Sequence, residues 1–168
     1  MKHVYLCGLM GAGKSTVGAL LAERLGLPFR DLDSEIERDA GLSIAEIFAR
    51  FGEPEFRRRE ARTLFRLAAE TAGVLALGGG ALSQPENRDL VLATGTLIWL
   101  DAPSRELVRR VGDPRSRPLL ATGDPAATLE RLRDERKGDY RSAALKVETA
   151  GASPAQIAEH LAAWLAQR

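Results

Sequence analysis

Apolar positions along the chain fall into two alternating kinds of stretch. Short continuous runs, Val4-Tyr5-Leu6-Cys7, Val74-Leu75-Ala76-Leu77 and Thr96-Leu97-Ile98-Trp99-Leu100, read as strands buried on both faces. Phe29 to Asp33 reads as a shorter strand ending in two carboxylates, and Leu145 to Thr149 as a fifth, weaker one. Between them the apolar residues recur at helical spacing. Val17, Leu20, Leu21 and Leu25 mark a first helix, stopped by Gly26-Leu27-Pro28. A turn or two is predicted from Ser34 to Asp39. Ser43-Ile44-Ala45-Glu46 is a capping box opening a helix with Ile44, Ile47, Phe48 and Phe51 on its apolar face. Gly52 ends it. A longer helix from about Pro54 to Thr71 turns Phe56, Leu64 and Leu67 inward and is dense in arginine. Further helices are predicted at about 85–93, 103–111 and 126–142. Ser153 caps a last one, striped by Ile157, Leu161, Trp164 and Leu165.

Strands alternating with helices predict an α/β three-layer sandwich around a five-stranded parallel sheet, with functional loops along the strand C-termini. A length of 168 residues suits one domain, 1–168. Within it, about 112–124 is long, polar and broken by glycine and proline, and is expected to be a mobile lid.

Composition narrows the possibilities. A formal net charge of +1 gives no electrostatic reason to expect a nucleic-acid or membrane partner. The single cysteine, Cys7, rules out an internal disulfide and reads as a small apolar residue of the first strand. The N-terminal apolar stretch is short and runs directly into Gly11-Ala12-Gly13-Lys14, unlike a signal peptide, so the expected location is the cytoplasm.

The first run leads into Gly8-x-x-x-x-Gly13-Lys14-Ser15, the P-loop pattern, between a strand and a helix. Glycines let successive N–H groups turn inward around a phosphate, and the helix start adds its unpaired N–H groups and positive dipole end. Lys14 offers a cation for the β/γ-phosphates and Ser15 a hydroxyl for Mg²⁺. The motif points to ATP but not to the acceptor.

Acceptor chemistry must be sought at other strand ends. Asp31-x-Asp33 offers two carboxylates pointing the same way on a strand, one able to serve Mg²⁺ through water and the other to take a hydroxyl proton. Arg57, beside Phe56 and three residues before Glu60, reads as a positioned guanidinium. Gly78-Gly79-Gly80 offers backbone suited to close approach by a small ligand. Arg117-Pro118-Leu119 could bring a cation over a transferring phosphoryl group, and Tyr140-Arg141 offers another fork for a carboxylate. Asp101 follows an apolar strand as a Mg²⁺-associated aspartate often does, but is read as the start of the following turn. Neither His3 nor His160 is placed for acid–base work.

Together the P-loop with Thr16, Asp31-x-Asp33, Ser43-Ile44-x-Glu46-Ile47-Phe48, Gly52-Glu53-x-x-Phe56-Arg57-x-x-Glu60, Gly78-Gly79-Gly80-Ala81, Arg117-Pro118-Leu119 and Tyr140-Arg141 resemble the shikimate kinase signature set, in order and over nearly the whole chain. The resemblance implies a P-loop kinase fold and Mg²⁺-dependent transfer of phosphate from ATP to shikimate, by a monomer. By this resemblance the substrate-binding region is about 31–62. Asp33 would hold the ring hydroxyls and act as base. Arg57 and Arg141 would bind the carboxylate, with Gly79 and Gly80 against the ring. Gly11, Ala12, Gly13, Lys14, Ser15 and Thr16 would bind ATP. Lys14 and Arg117 would neutralise the γ-phosphate, and Ser15 and Asp31 (through water) would serve the metal. Arg110 matches an arginine that stacks on adenine in relatives. The 150–154 loop, with Ser153, matches the family's other adenine contact but lacks the basic residues some relatives show. The alternatives are a related small-molecule kinase such as a gluconate kinase, and a nucleotide-binding module without catalysis.

Overall fold

A computed structural model of the chain describes residues 2–112, 120 and 123–168. Its sheet has five parallel strands in the order β2-β3-β1-β4-β5: β1 is His3–Cys7, β2 Phe29–Asp31, β3 Val74–Ala76, β4 Gly95–Asp101 and β5 Leu145–Glu148. Seven α-helices are described: α1 Lys14–Leu25, α2 Leu32–Ala40, α3 Ile44–Ala68, α4 Pro85–Thr94, α5 Ser104–Val111, α6 Pro125–Tyr140 and α7 Pro154–Leu165.

The period of a strand divides the core in two. Val4 and Leu6 of β1 and Ile98 and Leu100 of β4 face one side, where α1, α5, α6 and α7 cover them with Leu21, Leu107, Leu129 and Leu161. Tyr5, Cys7, Leu97 and Trp99 face the other, under Ile36 of α2, Ile47, Phe56 and Leu64 of α3, and Val91 of α4. This is why the strand runs are apolar at every position. Cys7 is buried, and burial pushes its thiol up to about 12, as expected for a packing residue. His3 is also buried, its Nδ1 accepting from Gly73 N at 3.1 Å.

Some element boundaries differ from the sequence reading, three of them in β2 and α3. β2 stops at Asp31, not Asp33, because the Asp31 carboxylate accepts from Ser34 N at 3.2 Å and so caps α2. The two expected helices across Gly52 follow each other directly as α3, with a break where Gly52 takes φ 79° and ψ 171°. On the first segment Ile47 is buried, but Phe51 is half exposed, its ring under the Arg59 guanidinium at 5.5 Å. Finally, α3 ends at Ala68, short of Thr71.

Most of the expected lid (113–119 and 121–122), and with it Arg117, lies outside the described residues. Within the expected lid span Leu120 packs into the core, and the Asp124 carboxylate caps α6 by accepting from Ala126 N and Ala127 N. Among the described residues no helix is long and apolar enough to cross a membrane.

Candidate active site

The C-terminal ends of β1, β2 and β3 open into one cleft of about 1060 Å³. The P-loop lies at one end. Gly8 turns with φ +141°, and a Cβ there would stand 2.2 Å from the Leu100 carbonyl oxygen, so only glycine lets the loop leave β1 this close to β4. α1 then starts at Lys14 with no side-chain cap on its first turn, an anion site in its own right. Lys14 Nζ donates to the carbonyls of Gly8 at 2.9 Å and Leu9 at 3.0 Å, which holds the ammonium across the loop. Gly11, Ala12, Gly13, Ser15 and Thr16 also line the cleft. Arg110 of α5 reaches the same end, donating to Thr149 Oγ1 at 2.9 Å, to the Thr149 carbonyl at 3.1 Å and to the Gly11 carbonyl at 3.5 Å.

Ser15 joins this end to the next, because its hydroxyl donates to the Asp31 carboxylate. A hydroxyl and a carboxylate are hard oxygen donors suited to Mg²⁺. Among the described residues no group of three or more His, Cys, Asp or Glu side chains could hold a metal. The donor set therefore fits an ion that takes most of its ligands from phosphate and water.

The other end is built from charged side chains. Asp33 comes from the first turn of α2, Arg57 and Glu60 from α3, Arg136 from α6, and all four line the cleft with Gly78, Gly79 and Gly80. Arg57 donates from Nη1 to Glu60 at 2.8 Å and from Nη2 to Glu53 at 3.2 Å, with its guanidinium 5.1 Å from the centre of the Phe56 ring. Burial works against the Arg57 charge, but Glu60 and Glu53 outweigh it and hold the group cationic more firmly than usual. Glu60 is fully buried, and among the described residues its Oε1 has no hydrogen-bond partner. Burial raises its carboxyl above the ordinary glutamate value; Arg57 pulls it back, and the nearby Asp33 adds to the rise.

The bare glycines after β3 accommodate these side chains. A Cβ on Gly78 would meet Glu60 Oε1 at 2.7 Å and Asp33 Oδ1 at 3.0 Å. On Gly79 it would meet Arg136 Nη1 at 2.9 Å, and on Gly80, Arg57 Nη2 at 2.6 Å. Gly79 and Gly80, which the sequence reading set against a ligand, line the cleft, and their missing side chains also leave room for the protein's own carboxylates and guanidinium groups. Tyr140 fixes the turn by donating its hydroxyl to the Gly79 carbonyl, and burial holds that phenol well above its usual range.

The family model for shikimate kinase matches residues 10–166. The chain belongs to the shikimate kinase family. It is 47% identical over 160 residues to the shikimate kinase of Novosphingobium aromaticivorans, covering 93% of this chain and 82% of that one. It is 49% identical over 146 residues to that of Rhodopseudomonas palustris, covering 87% and 72%. In structure it resembles the Acinetobacter baumannii shikimate kinase in complex with shikimate, at TM-score 0.96 and 38% identity over 99% of this chain and 94% of that one. A Sinorhizobium meliloti gluconokinase, at TM-score 0.65 and 20% identity over 99% and 92%, shares the fold.

Against this shikimate kinase geometry, two expected residues are misplaced. Arg141 is exposed and outside the cleft, whereas Arg136 is buried and lines it. The reason is helical phase. Leu129, Leu132, Arg136 and Tyr140 recur at three- and four-residue steps on the inward face of α6, and the next position rotates off it. That stripe was visible in the sequence. Ser153 is also absent from the cleft lining: its hydroxyl accepts from Gln156 N at 3.2 Å as the cap of α7, leaving Gly151, Ala152 and Pro154 to line the cleft. Asp33 and Asp31 both line the cleft, but from a helix turn and its cap rather than from one strand face. Asp101 is buried outside the cleft, paired with Arg133 and Lys146. Cleft residues that the sequence reading passed over include Ser34, Glu37 and Ala45.

Proposed function

We propose that this cleft transfers the γ-phosphoryl group of ATP to a ring hydroxyl of shikimate. The chain is a shikimate kinase, a phosphotransferase with an alcohol acceptor that makes shikimate 3-phosphate. The observation that carries the site assignment is the division of the cleft into a main-chain anion cradle and a pocket pairing Asp33 with two guanidinium groups. A polyol with one carboxylate needs both: an acceptor for its hydroxyls and cationic donors for its acid.

In this assignment the P-loop amides and Lys14 bind the ATP phosphates, and Arg110 with the Gly151–Pro154 turn flanks the base. Arg57 and Arg136 hold the shikimate carboxylate. Asp33 orients the reacting hydroxyl and accepts its proton as the oxygen attacks phosphorus. Glu60 and Glu53 keep the Arg57 fork in place. Bound Mg²⁺, held by Ser15 and through water by Asp31, would neutralise charge on the β- and γ-phosphates. Arg117, carried by the family resemblance, is assigned to the transferring phosphoryl group, and the 112–124 segment to a lid that excludes water. The assignment is completed by a monomer working in the cytoplasm without nucleic-acid or membrane partners, in keeping with its net charge of +1.

Coupled ADP release with shikimate, gluconate and nucleoside monophosphates tests the reading. Turnover with shikimate alone is expected. Turnover with gluconate and none with shikimate would overturn it, and ATP binding without any turnover would favour a non-catalytic module.

A further inference from the structure

Asp101 has no place in the cleft, yet it is bonded toward both of its ends. The residue closes β4 and is 3% exposed. A carboxylate so deep is expensive unless paired. Here Oδ2 accepts from Arg133 Nη2 and from Lys146 Nζ, each at 2.9 Å, and Oδ1 accepts from Ala102 N at 3.0 Å.

Both cations lead to the acceptor end. Arg133 lies on α6 one turn before Arg136, the guanidinium that stands over Gly79. Lys146 places its ammonium 4.2 Å from the centre of the Trp99 ring, which lies 5.5 Å from the Tyr140 ring. The Tyr140 hydroxyl in turn holds the Gly79 carbonyl.

The main chain of Asp101 leads the other way. Its carbonyl oxygen accepts from Thr149 N at 2.8 Å and Thr149 Oγ1 at 3.0 Å, and Arg110 donates to that same hydroxyl at 2.9 Å. A side-chain substitution at 101 leaves this carbonyl in place. The two routes are therefore separable.

We propose that Asp101 is a positioning residue for the acceptor end: its charge fixes Arg133 and Lys146, and through them the places of Arg136 and Gly79, while its side chain adds nothing to ATP binding. The proposal rests on the assignment of the acceptor end, with Arg136, to shikimate.

The test is steady-state kinetics of Asp101→Asn, Arg133→Met and Lys146→Met, with the Asp101→Asn/Arg133→Met double variant. In Asp101→Asn the shikimate KM is expected to rise about five- to tenfold while the ATP KM stays within about twofold. Arg133→Met should raise the shikimate KM in the same sense, and the double variant should be little worse than Asp101→Asn, since both remove one interaction. If Asp101→Asn does not fold, Arg133→Met and Lys146→Met, altered at partly exposed side chains, carry the same split. An ATP KM rising in step with the shikimate KM, strict additivity, or an unmoved shikimate KM in the folded variants would overturn the proposal alone. A wild-type chain that does not use shikimate would overturn it together with the functional reading.

Discussion

The two ends of the cleft are made in different ways. At the nucleotide end, one stretch from Gly8 to Thr16 supplies the loop, the amides, the cation and the hydroxyl. Its binding groups are mostly main chain, so what it needs is glycine at defined positions and a helix start. At the acceptor end, Asp33, Arg57, Glu60 and Arg136 arrive from three helices and meet over a glycine turn after β3. Each group there is a charge, and each is set by neighbours rather than by its own segment. An anion site can thus be written locally, whereas a polyol acid needs side chains converging from distant parts of the chain.

This contrast can be broken in several places. The largest effect is expected from Lys14→Ala, which should lower kcat by about 10²–10³ with the shikimate KM little changed; a kcat within tenfold of wild type would remove Lys14 from the reaction. Arg57→Ala should do the opposite, weakening shikimate by about 2–5 kcal/mol in KM and leaving the ATP KM near wild type. An unmoved shikimate KM would end the assignment of the fork.

Finer tests address how the acceptor end is assembled. Arg136→Met should weaken shikimate by about 1.5–3 kcal/mol, while Arg141→Met should stay close to wild type in both KM values; the reverse pattern would restore the sequence reading. Gly80→Ala should raise the shikimate KM severalfold with only a small fall in Tm, because its Cβ would stand 2.6 Å from Arg57 Nη2, the end of a side chain able to move aside. A large fall in Tm would mean instead that the backbone yields.

The smallest effect concerns pH. Glu60 holds its proton to higher pH in the folded chain than in the unfolded one, chiefly through burial. Its contribution to stability is therefore present below the ordinary glutamate value and lost as pH rises through the elevated one. The stability difference between Glu60→Gln and wild type should shift in favour of the variant across that weakly acidic range. A pH-independent difference would show that Glu60 titrates alike in both states.

Much of this was legible beforehand, for reasons that differ by residue. The strands were readable because a parallel sheet covered on both faces leaves no polar alternation, as in Val74–Ala76. The P-loop was readable because its function is its backbone. Asp33 and Arg57 stand out in their own stretches as one of a carboxylate pair and as a positioned guanidinium, with their roles toward shikimate implied by the family resemblance, but the reason for the glycines beside them was not accessible from those stretches. Tyr140-Arg141 carries a local signal for a carboxylate fork, whereas Arg136 is marked only by the phase of α6, on the inward face it shares with Leu129 and Leu132.

The sequence by itself settled the order of strands and helices, the phosphate cradle and the kinds of charge available, since these depend on local spacing and on backbone that particular residues allow. Only the folded chain decided which arginine of α6 enters the cleft, that Gly78 to Gly80 make room for Glu60, Asp33, Arg136 and Arg57, and that Asp101 is spent on Arg133 and Lys146. Those outcomes depend on where packed helices place long side chains relative to residues far away in sequence, and a single residue's step of helical phase, about 100°, is enough to exchange a buried cation for a surface one.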